Sequence, residues 1–321
     1  MTLIITAVRG LDVFQVSDRR VTQQTGTATS TWDPAANKAV VVRGTDFAVS
    51  MCYTGLAYIG DMPTDQFITQ QVIGQRLIVQ SAGAFSGEPW LTHLQGTAER
   101  LREGLDTAYG KLVRPDWRAT GLQVVIGGIQ RRTPRDARLI WVVSKANAAT
   151  PCEIVKLDID EVRDLGTLRY DGSYRFAIAG DVAHTSHAEL ESVLGPIAHQ
   201  GWEPFLEAMI EYVRTVGRRT PTVGQDVMSV LFGGSCDEIL IRYTPNPAAA
   251  GVPNPAYTPW TITSRSLTAP SVIQGHTSGA AWGVGQGDAE IRFTYEGPTY
   301  PPELVTVIQR INAQTRPSPP A

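Results

Sequence analysis

Thr2-Leu3-Ile4-Ile5 opens the chain with an apolar run, and Val13, Phe14 and Val16 lead it to a compact charged cluster, Ser17-Asp18-Arg19-Arg20-Val21-Thr22. A basic residue stands before a second apolar run in Asn37-Lys38-Ala39-Val40-Val41-Val42. Phe47-Ala48-Val49-Ser50-Met51-Cys52-Tyr53 then reads as a strand that ends at Thr54-Gly55. A backbone turn there can present N–H groups instead of pairing them in a sheet. The candidate chemistry lies in this stretch, residues 2–61, and the later helices and strands read as the scaffold that holds it.

A threonine that becomes the first residue carries a hydroxyl nucleophile and a free α-amine on one residue, and so brings its own base. A hydroxyl alone is a weak nucleophile, whereas an amine of pKa about 7.7–8.0 is matched to proton transfer at neutral pH. A nearby lysine ammonium lowers that pKa, and an aspartate holds the lysine charged and aimed. Thr2, Lys38 and Asp18 can fill these roles, with Gly55 supplying an N–H to an oxyanion. Taken singly, a threonine after Met1, an Asp-Arg pair and a lysine before a valine-rich strand are ordinary features. Their order, closed by Gly55, is what reads as a site.

The stretch resembles the start of a proteasome β-type subunit, a family of N-terminal nucleophile hydrolases. Thr2 stands at the family's nucleophile position, and Asp18-Arg19-Arg20-Val21-Thr22 fits its D-x-R-x-T motif. Lys38 fits the buried lysine, and Tyr53-Thr54-Gly55-Leu56-Ala57 fits the strand end whose glycine N–H is the oxyanion donor. The motifs are specific over residues 2–65, and the likeness is architectural to about residue 244. A small second residue such as Thr2 permits removal of Met1, which would free its amine; no cofactor and no metal are expected, and the aromatic, proline-rich C-terminal segment leads to the expectation of a homo-oligomer that could close into a ring. In its second half the family carries a D-x-x-S-G-G segment that orients the amine. This chain has Thr220-Pro221-Thr222-Val223-Gly224-Gln225 instead. Ala179-Gly180-Asp181 lies near the family's G-S-G turn, which leaves Asp181 and Thr222 as candidate stand-ins. Arg20 is expected to hold the turn near the site.

At 321 residues and 42% hydrophobic, the chain can bury a large core. A formal net charge of -3, without a run of lysine or arginine, argues against a nucleic-acid or lipid face. No apolar stretch approaches the ~20 residues of a membrane helix, and the first ten residues lack the basic region of a targeting peptide. Cys52, Cys152 and Cys236 are odd in number and far apart, which reads as reduced thiols in a cytoplasmic protein.

Beyond the site, Gly60-Asp61-Met62-Pro63-Thr64 predicts a turn and a helix running to about Gln80. A second helix is expected after Ser86 or Glu88, with Pro89 in its first turn and an apolar stripe from Leu91 through Leu94, Ala98, Leu101, Leu105 and Ala108 to Leu112. His93 falls on its flank. Strands are expected at Leu122-Gln123-Val124-Val125-Ile126, Leu139-Ile140-Trp141-Val142-Val143, Glu153-Ile154-Val155-Lys156-Leu157 and Tyr174-Arg175-Phe176-Ala177-Ile178. The capping box Ser186-His187-Ala188-Glu189 announces a third helix, with Leu190, Val193, Leu194 and Ile197 on its face. A fourth carries Leu206, Met209, Val213 and Val216. Two strands follow, Val227-Met228-Ser229-Val230-Leu231-Phe232 and Glu238-Ile239-Leu240-Ile241-Arg242-Tyr243. Strands, two helices, strands, two helices and strands fold most simply as an α+β, four-layer αββα sandwich, two antiparallel sheets between helix pairs.

Twelve of the 21 prolines follow Thr244, so the expected division is a core of residues 1–244 and a Pro/Gly-rich arm, 245–321, packing on the core or on a neighbouring subunit. Trp260-Thr261-Ile262-Thr263 and Glu290-Ile291-Arg292-Phe293-Thr294-Tyr295 read as strands of that arm, and Pro301-Pro302-Glu303-Leu304 as the start of a helix. His184-Thr185-Ser186-His187 lacks the supporting ligands of a metal site. Gly283-Val284-Gly285-Gln286-Gly287 reads as a turn and not a nucleotide cradle. Three functions fit: a threonine peptidase acting by acyl transfer through Thr2, an amidase of the same fold acting on a small non-peptide amide, and a binding or assembly protein that keeps the fold without turnover.

Overall fold

The computed structural model describes residues 2–25, 28–34, 36–73, 83–84, 93–132, 136–159, 174–233, 238–246, 259–262, 266–268, 280–282 and 290–295. The strands Leu3–Arg9 and Asp12–Asp18 pair antiparallel through a turn at Gly10, whose φ of 56° suits glycine. Successive side chains leave opposite faces of a strand. Leu3, Ile5, Ala7, Phe14 and Val16 therefore pack on one side of the hairpin, and Ile4, Val8 and Val13 on the other. Burial on both faces is why the run Leu3-Ile4-Ile5 does not alternate with polar residues.

The core falls into three packed layers. In the first, Val40, Val49, Met51, Val124 and Trp141 meet α1 (Thr64–Ile73) and α2 (Leu94–Gly110), and Trp117 of a short α3 (Pro115–Ala119) packs at its margin. In the middle layer Ile4 and Val13 of one sheet face Val41 and Val125 of the other. The third joins Leu3, Ile5 and Phe14 to α4 (His187–Leu194) and α5 (Trp202–Arg219). This is a four-layer αββα sandwich of the α+β class. On α5 Phe205, Leu206, Met209, Val213 and Val216 are buried on one face. Each such side chain taken out of water contributes about 1.5–3 kcal/mol, so packing holds the helix where propensity alone would leave it marginal.

The first sheet runs Tyr174–Gly180, Leu3–Arg9, Asp12–Asp18, Val227–Phe232, Glu238–Thr244, Glu290–Tyr295, Ala280–Trp282. The second runs Glu153–Ile159, Ala137–Lys145, Leu122–Gln130, Phe47–Gly55, Ala39–Arg43, Trp260–Ile262, Ser266–Thr268, Gly83–Ala84. Core strands pair antiparallel. Two parallel pairings come where strands beyond Thr244 join, Glu290–Tyr295 on Glu238–Thr244 and Trp260–Ile262 on Ala39–Arg43. A parallel partner must return from the far end of the sheet, which needs the long connection these segments have.

Several boundaries differ from the sequence reading. Helix α2 begins at Leu94 with His93 as its extended N-cap, so neither Ser86 nor Glu88 caps it, and Leu112 is buried just past its end. Residues 74–80, Leu91, Cys236, the glycine-rich turn at 283–287 and the helix expected from Pro301 lie outside the described residues. Val193 is exposed, and Ile197 belongs to a separate 3-10 turn, Gly195–Ile197. The cap on α4 is half of the expected box. Ser186 Oγ accepts from Glu189 N at 3.4 Å, while the Glu189 carboxylate turns to Arg219 at 2.6 Å. Ser186→Ala should lower the free energy of unfolding by about 0.5–2 kcal/mol. An unchanged midpoint in urea would show that the cap is silent.

Candidate active site

The opening hairpin brings the first and last residues of its strands side by side. Its register sets Ile4 opposite Ser17, so Leu3 N–H donates to Asp18 Oδ1 at 2.9 Å. Thr2 is 5% exposed, and its carbonyl oxygen is held twice, by Asp181 N–H at 2.9 Å and by Thr54 Oγ1 at 3.4 Å. The residue expected to carry the nucleophile is thereby fixed from both sides.

Lys38 enters from the strand pair Ala39–Arg43 and Phe47–Gly55, its carbonyl accepting from Tyr53 N–H at 3.3 Å. Its side chain is buried, and Nζ donates to Thr2 Oγ1 at 2.6 Å, to Asp18 Oδ2 at 3.3 Å and to the Arg20 carbonyl. Three acceptors match the three N–H bonds of an ammonium. Burial is the largest influence on Lys38 and pulls its pKa below the ordinary lysine value, with Asp18 pulling the other way. Asp18 is completely buried, and its Oδ2 also accepts from Arg20 N–H at 2.9 Å and Gly224 N–H at 2.8 Å. Arg20 thus serves the cluster through its backbone, while its guanidinium donates to the Pro221 carbonyl at 3.0 Å.

Gly55 ends its strand at φ 109°, and a Cβ there would overlap the Gly121 carbonyl. Its neighbour Thr54 donates to the Thr2 carbonyl oxygen, so Gly55 directly follows a residue that touches Thr2. On the opposite flank, the strand Tyr174–Gly180 pairs with Leu3–Arg9 and ends at Gly180, φ 103°. A Cβ at Gly180 would run into the Thr2 carbonyl oxygen. Gly180→Ala is therefore expected to cost the fold several kcal/mol, combining a strained φ with a backbone clash. A guanidinium melt that superimposes on the wild type would refute this.

Asp181 follows directly. Its buried carboxylate accepts from Thr222 Oγ1 on one oxygen and lies 2.8 Å from His184 Nδ1 on the other. Burial is the largest influence and would raise its pKa, but the hydrogen bonds from Thr222 and His184 outweigh it and hold the carboxyl below the usual range. Asp181 and Thr222, separate candidates in the sequence, meet in one hydrogen bond beside Thr2. Sequence reasoning did not assign roles to Gly180, Thr54, Gly224 or the Arg20 carbonyl; three of these act through the backbone or by lacking a side chain. His184 was readable only as a weak metal candidate; here it faces Asp181, while the His187 ring stacks on Phe176 at 5.4 Å. Cys52 is also near, its thiol 3.8 Å from Ser17 Oγ. Burial pushes that thiol up to about 11, so it is no competing nucleophile at neutral pH.

The four-layer αββα sandwich sets a buried Thr2-Lys38-Asp18 cluster at the start of its first strand. No protein-family model and no curated protein matches the chain. Solved structures do. Anbu from Hyphomicrobium sp. strain MC1 is 10% identical at TM-score 0.44, with 72% of this chain and 81% of that one covered. Anbu (ancestral beta-subunit) from Yersinia bercovieri is 9% identical at TM-score 0.43, with 72% and 81% covered. The helical assembly of the Anbu complex from Pseudomonas aeruginosa gives 10% identity, TM-score 0.41, and 99% and 98% coverage.

Proposed function

We propose that the protein is an N-terminal threonine hydrolase that cleaves peptide amides by acyl transfer through Thr2. The observation that carries this reading is the 2.6 Å contact between Lys38 Nζ and Thr2 Oγ1 inside a buried cluster closed by Asp18. Thr2 Oγ attacks the carbonyl carbon, forming a C–O bond, and the tetrahedral oxyanion is met by the Gly55 N–H. The hydroxyl proton passes to Lys38, whose depressed pKa gives it access to the neutral, accepting form. That proton then leaves with the departing amine as the C–N bond breaks. Water, activated by the Thr2 amine, hydrolyses the ester and restores the enzyme. Asp181, braced by Thr222 and His184, orients that amine once Met1 is removed. Copies associate through the core and the segments after Thr244, which light scattering on the purified protein would test.

One experiment tests the chemistry. Protein purified from cells is treated with an electrophilic peptide analogue and examined by intact-mass and peptide-mapping mass spectrometry. The expected result is a chain lacking Met1 that carries one adduct on Thr2. A reactive protein that keeps Met1 throughout would sink the terminal-amine scheme, and an adduct on a serine or on Cys52 would sink the nucleophile. Among the described residues no helix is long and apolar enough to cross a membrane.

A further inference from the structure

Lys38 is aimed by more than Asp18. The residue before it, Asn37, donates from Nδ2 to Asp65 Oδ2 at 3.0 Å, and the same oxygen accepts from Trp260 Nε1 at 3.1 Å. Asp65 sits in the first turn of α1, and both it and Trp260 are buried. Asn37 is also gripped through its backbone, where its carbonyl accepts from Tyr53 Oη at 3.3 Å. Trp260 belongs to the strand Trp260–Ile262, which lies parallel to Ala39–Arg43 with Trp260 opposite Val40, two residues beyond Lys38. A segment more than 220 residues downstream of Lys38 therefore flanks that lysine along the backbone and through a side-chain hydrogen-bond chain.

We propose that Trp260 and Asp65 are positioning residues for Lys38, so that the strand Trp260–Ile262 is a working part of the site. Trp260 fixes the Asp65 carboxylate, Asp65 fixes Asn37, and Asn37 sets where the Lys38 main chain launches its side chain toward Thr2 Oγ1. The chemistry favours this over simple packing. A buried carboxylate needs donors to repay its lost hydration, and the indole N–H and the Asn37 amide are two that Asp65 receives, which ties the cost of burying it to both segments. With only 2.6 Å between Lys38 Nζ and Thr2 Oγ1, a displacement of about 1 Å is enough to slow proton transfer by tenfold or more. The proposal rests on the hydrolase reading above.

Its test is Trp260→Phe, which removes the N–H and keeps an aromatic ring, set beside Ile262→Val, which trims the same strand without touching Asp65. Two measurements are made on the full chain: backbone hydrogen exchange over residues 37–40, and the rate of Thr2 acylation by the electrophilic probe across pH. Trp260→Phe should speed exchange at 37–40, slow acylation by about tenfold or more and move the midpoint of the pH profile, since Lys38 then sits in a different field. Ile262→Val should leave the pH midpoint in place. Asp65→Asn, which keeps an acceptor, should fall between Trp260→Phe and the wild type. Unchanged exchange at 37–40 in Trp260→Phe overturns the proposal whether or not Thr2 reacts. So does a pH profile that Trp260→Phe and Ile262→Val shift alike. Wild-type protein that no probe labels at Thr2 instead defeats the hydrolase reading, and the exchange result still decides whether Trp260 holds the segment that carries Lys38.

Discussion

Thr2→Ala is expected to abolish turnover and covalent labelling together, a loss of about 10⁴-fold or more, while Thr2→Ser retains a measurable share of both. The reason is in the geometry. Thr2 Oγ1 is the atom Lys38 contacts at 2.6 Å, and the neighbouring Cys52 thiol, pushed up to about 11 by burial, is protonated at neutral pH. Cys52 is therefore not ready to take over. Alanine also leaves Lys38 one acceptor short, which costs about 1–3 kcal/mol of stability. A denaturation curve must therefore accompany the assay, so that loss of chemistry is separated from loss of fold. Residual labelling of a folded Thr2→Ala protein at the wild-type rate would end the assignment.

Lys38 should show the second largest effect. Lys38→Ala removes the group in direct contact with the hydroxyl and is expected to slow acylation by about 10²–10⁴-fold. Lys38→Arg is the sharper experiment, because a guanidinium keeps the positive charge but stays protonated and cannot accept the proton. Inactivity in Lys38→Arg, with the fold intact, points to Lys38 as the acceptor. Substantial activity would mean that charge suffices and that the Thr2 amine takes the proton through a water. The pH dependence has a definite sign. The accepting form of Lys38 is neutral, and burial lowers its pKa from the ordinary lysine value of about 10.4. The rate should therefore fall as pH drops below that lowered pKa and level off above it. Stability moves the same way. Between the folded and unfolded pKa values of Lys38 the unfolded chain binds more protons, so stability from this group rises with pH across that window.

How much of this was readable depends on how far apart the partners lie in the chain. Thr2 and Asp18 were legible through motifs that resemble those of the proteasome β-type family, and the antiparallel hairpin that returns its last residue to its first is what brings them together. Lys38 was legible through the same resemblance, and the strand pair it precedes delivers its side chain to Thr2 and Asp18. The four layers were likewise legible, since apolar stripes on helices must be covered and both faces of the opening strands are apolar. Asp181 and Thr222 could be suspected but not joined. Their meeting depends on Tyr174–Gly180 pairing with the first strand and on the turn after α5, choices that local pattern does not encode. The start of α2 was misplaced because Ser86, Glu88 and Pro89 are good local signals that nothing in the sequence weighs against His93. Trp260 was read only as part of a strand of the packing arm, and its hydrogen bond to Asp65 lay beyond any spacing rule.

Asp18 draws three of its donors, from Leu3, Arg20 and Gly224, out of the peptide backbone, and Lys38 finds one of its acceptors there as well. Such partners are supplied by every amino acid except, as donors, proline. An alanine scan across Leu3 and Arg20 would therefore report packing losses and pass over their part in the ion pair. The same property gives the site latitude to drift: side chains around it can be exchanged over many generations while the hydrogen bonds persist, so long as the hairpin register and the approach of Gly224 are kept. Proline substitution at these positions, which deletes a single N–H, is the form of mutagenesis that would make the hidden half of the cluster visible.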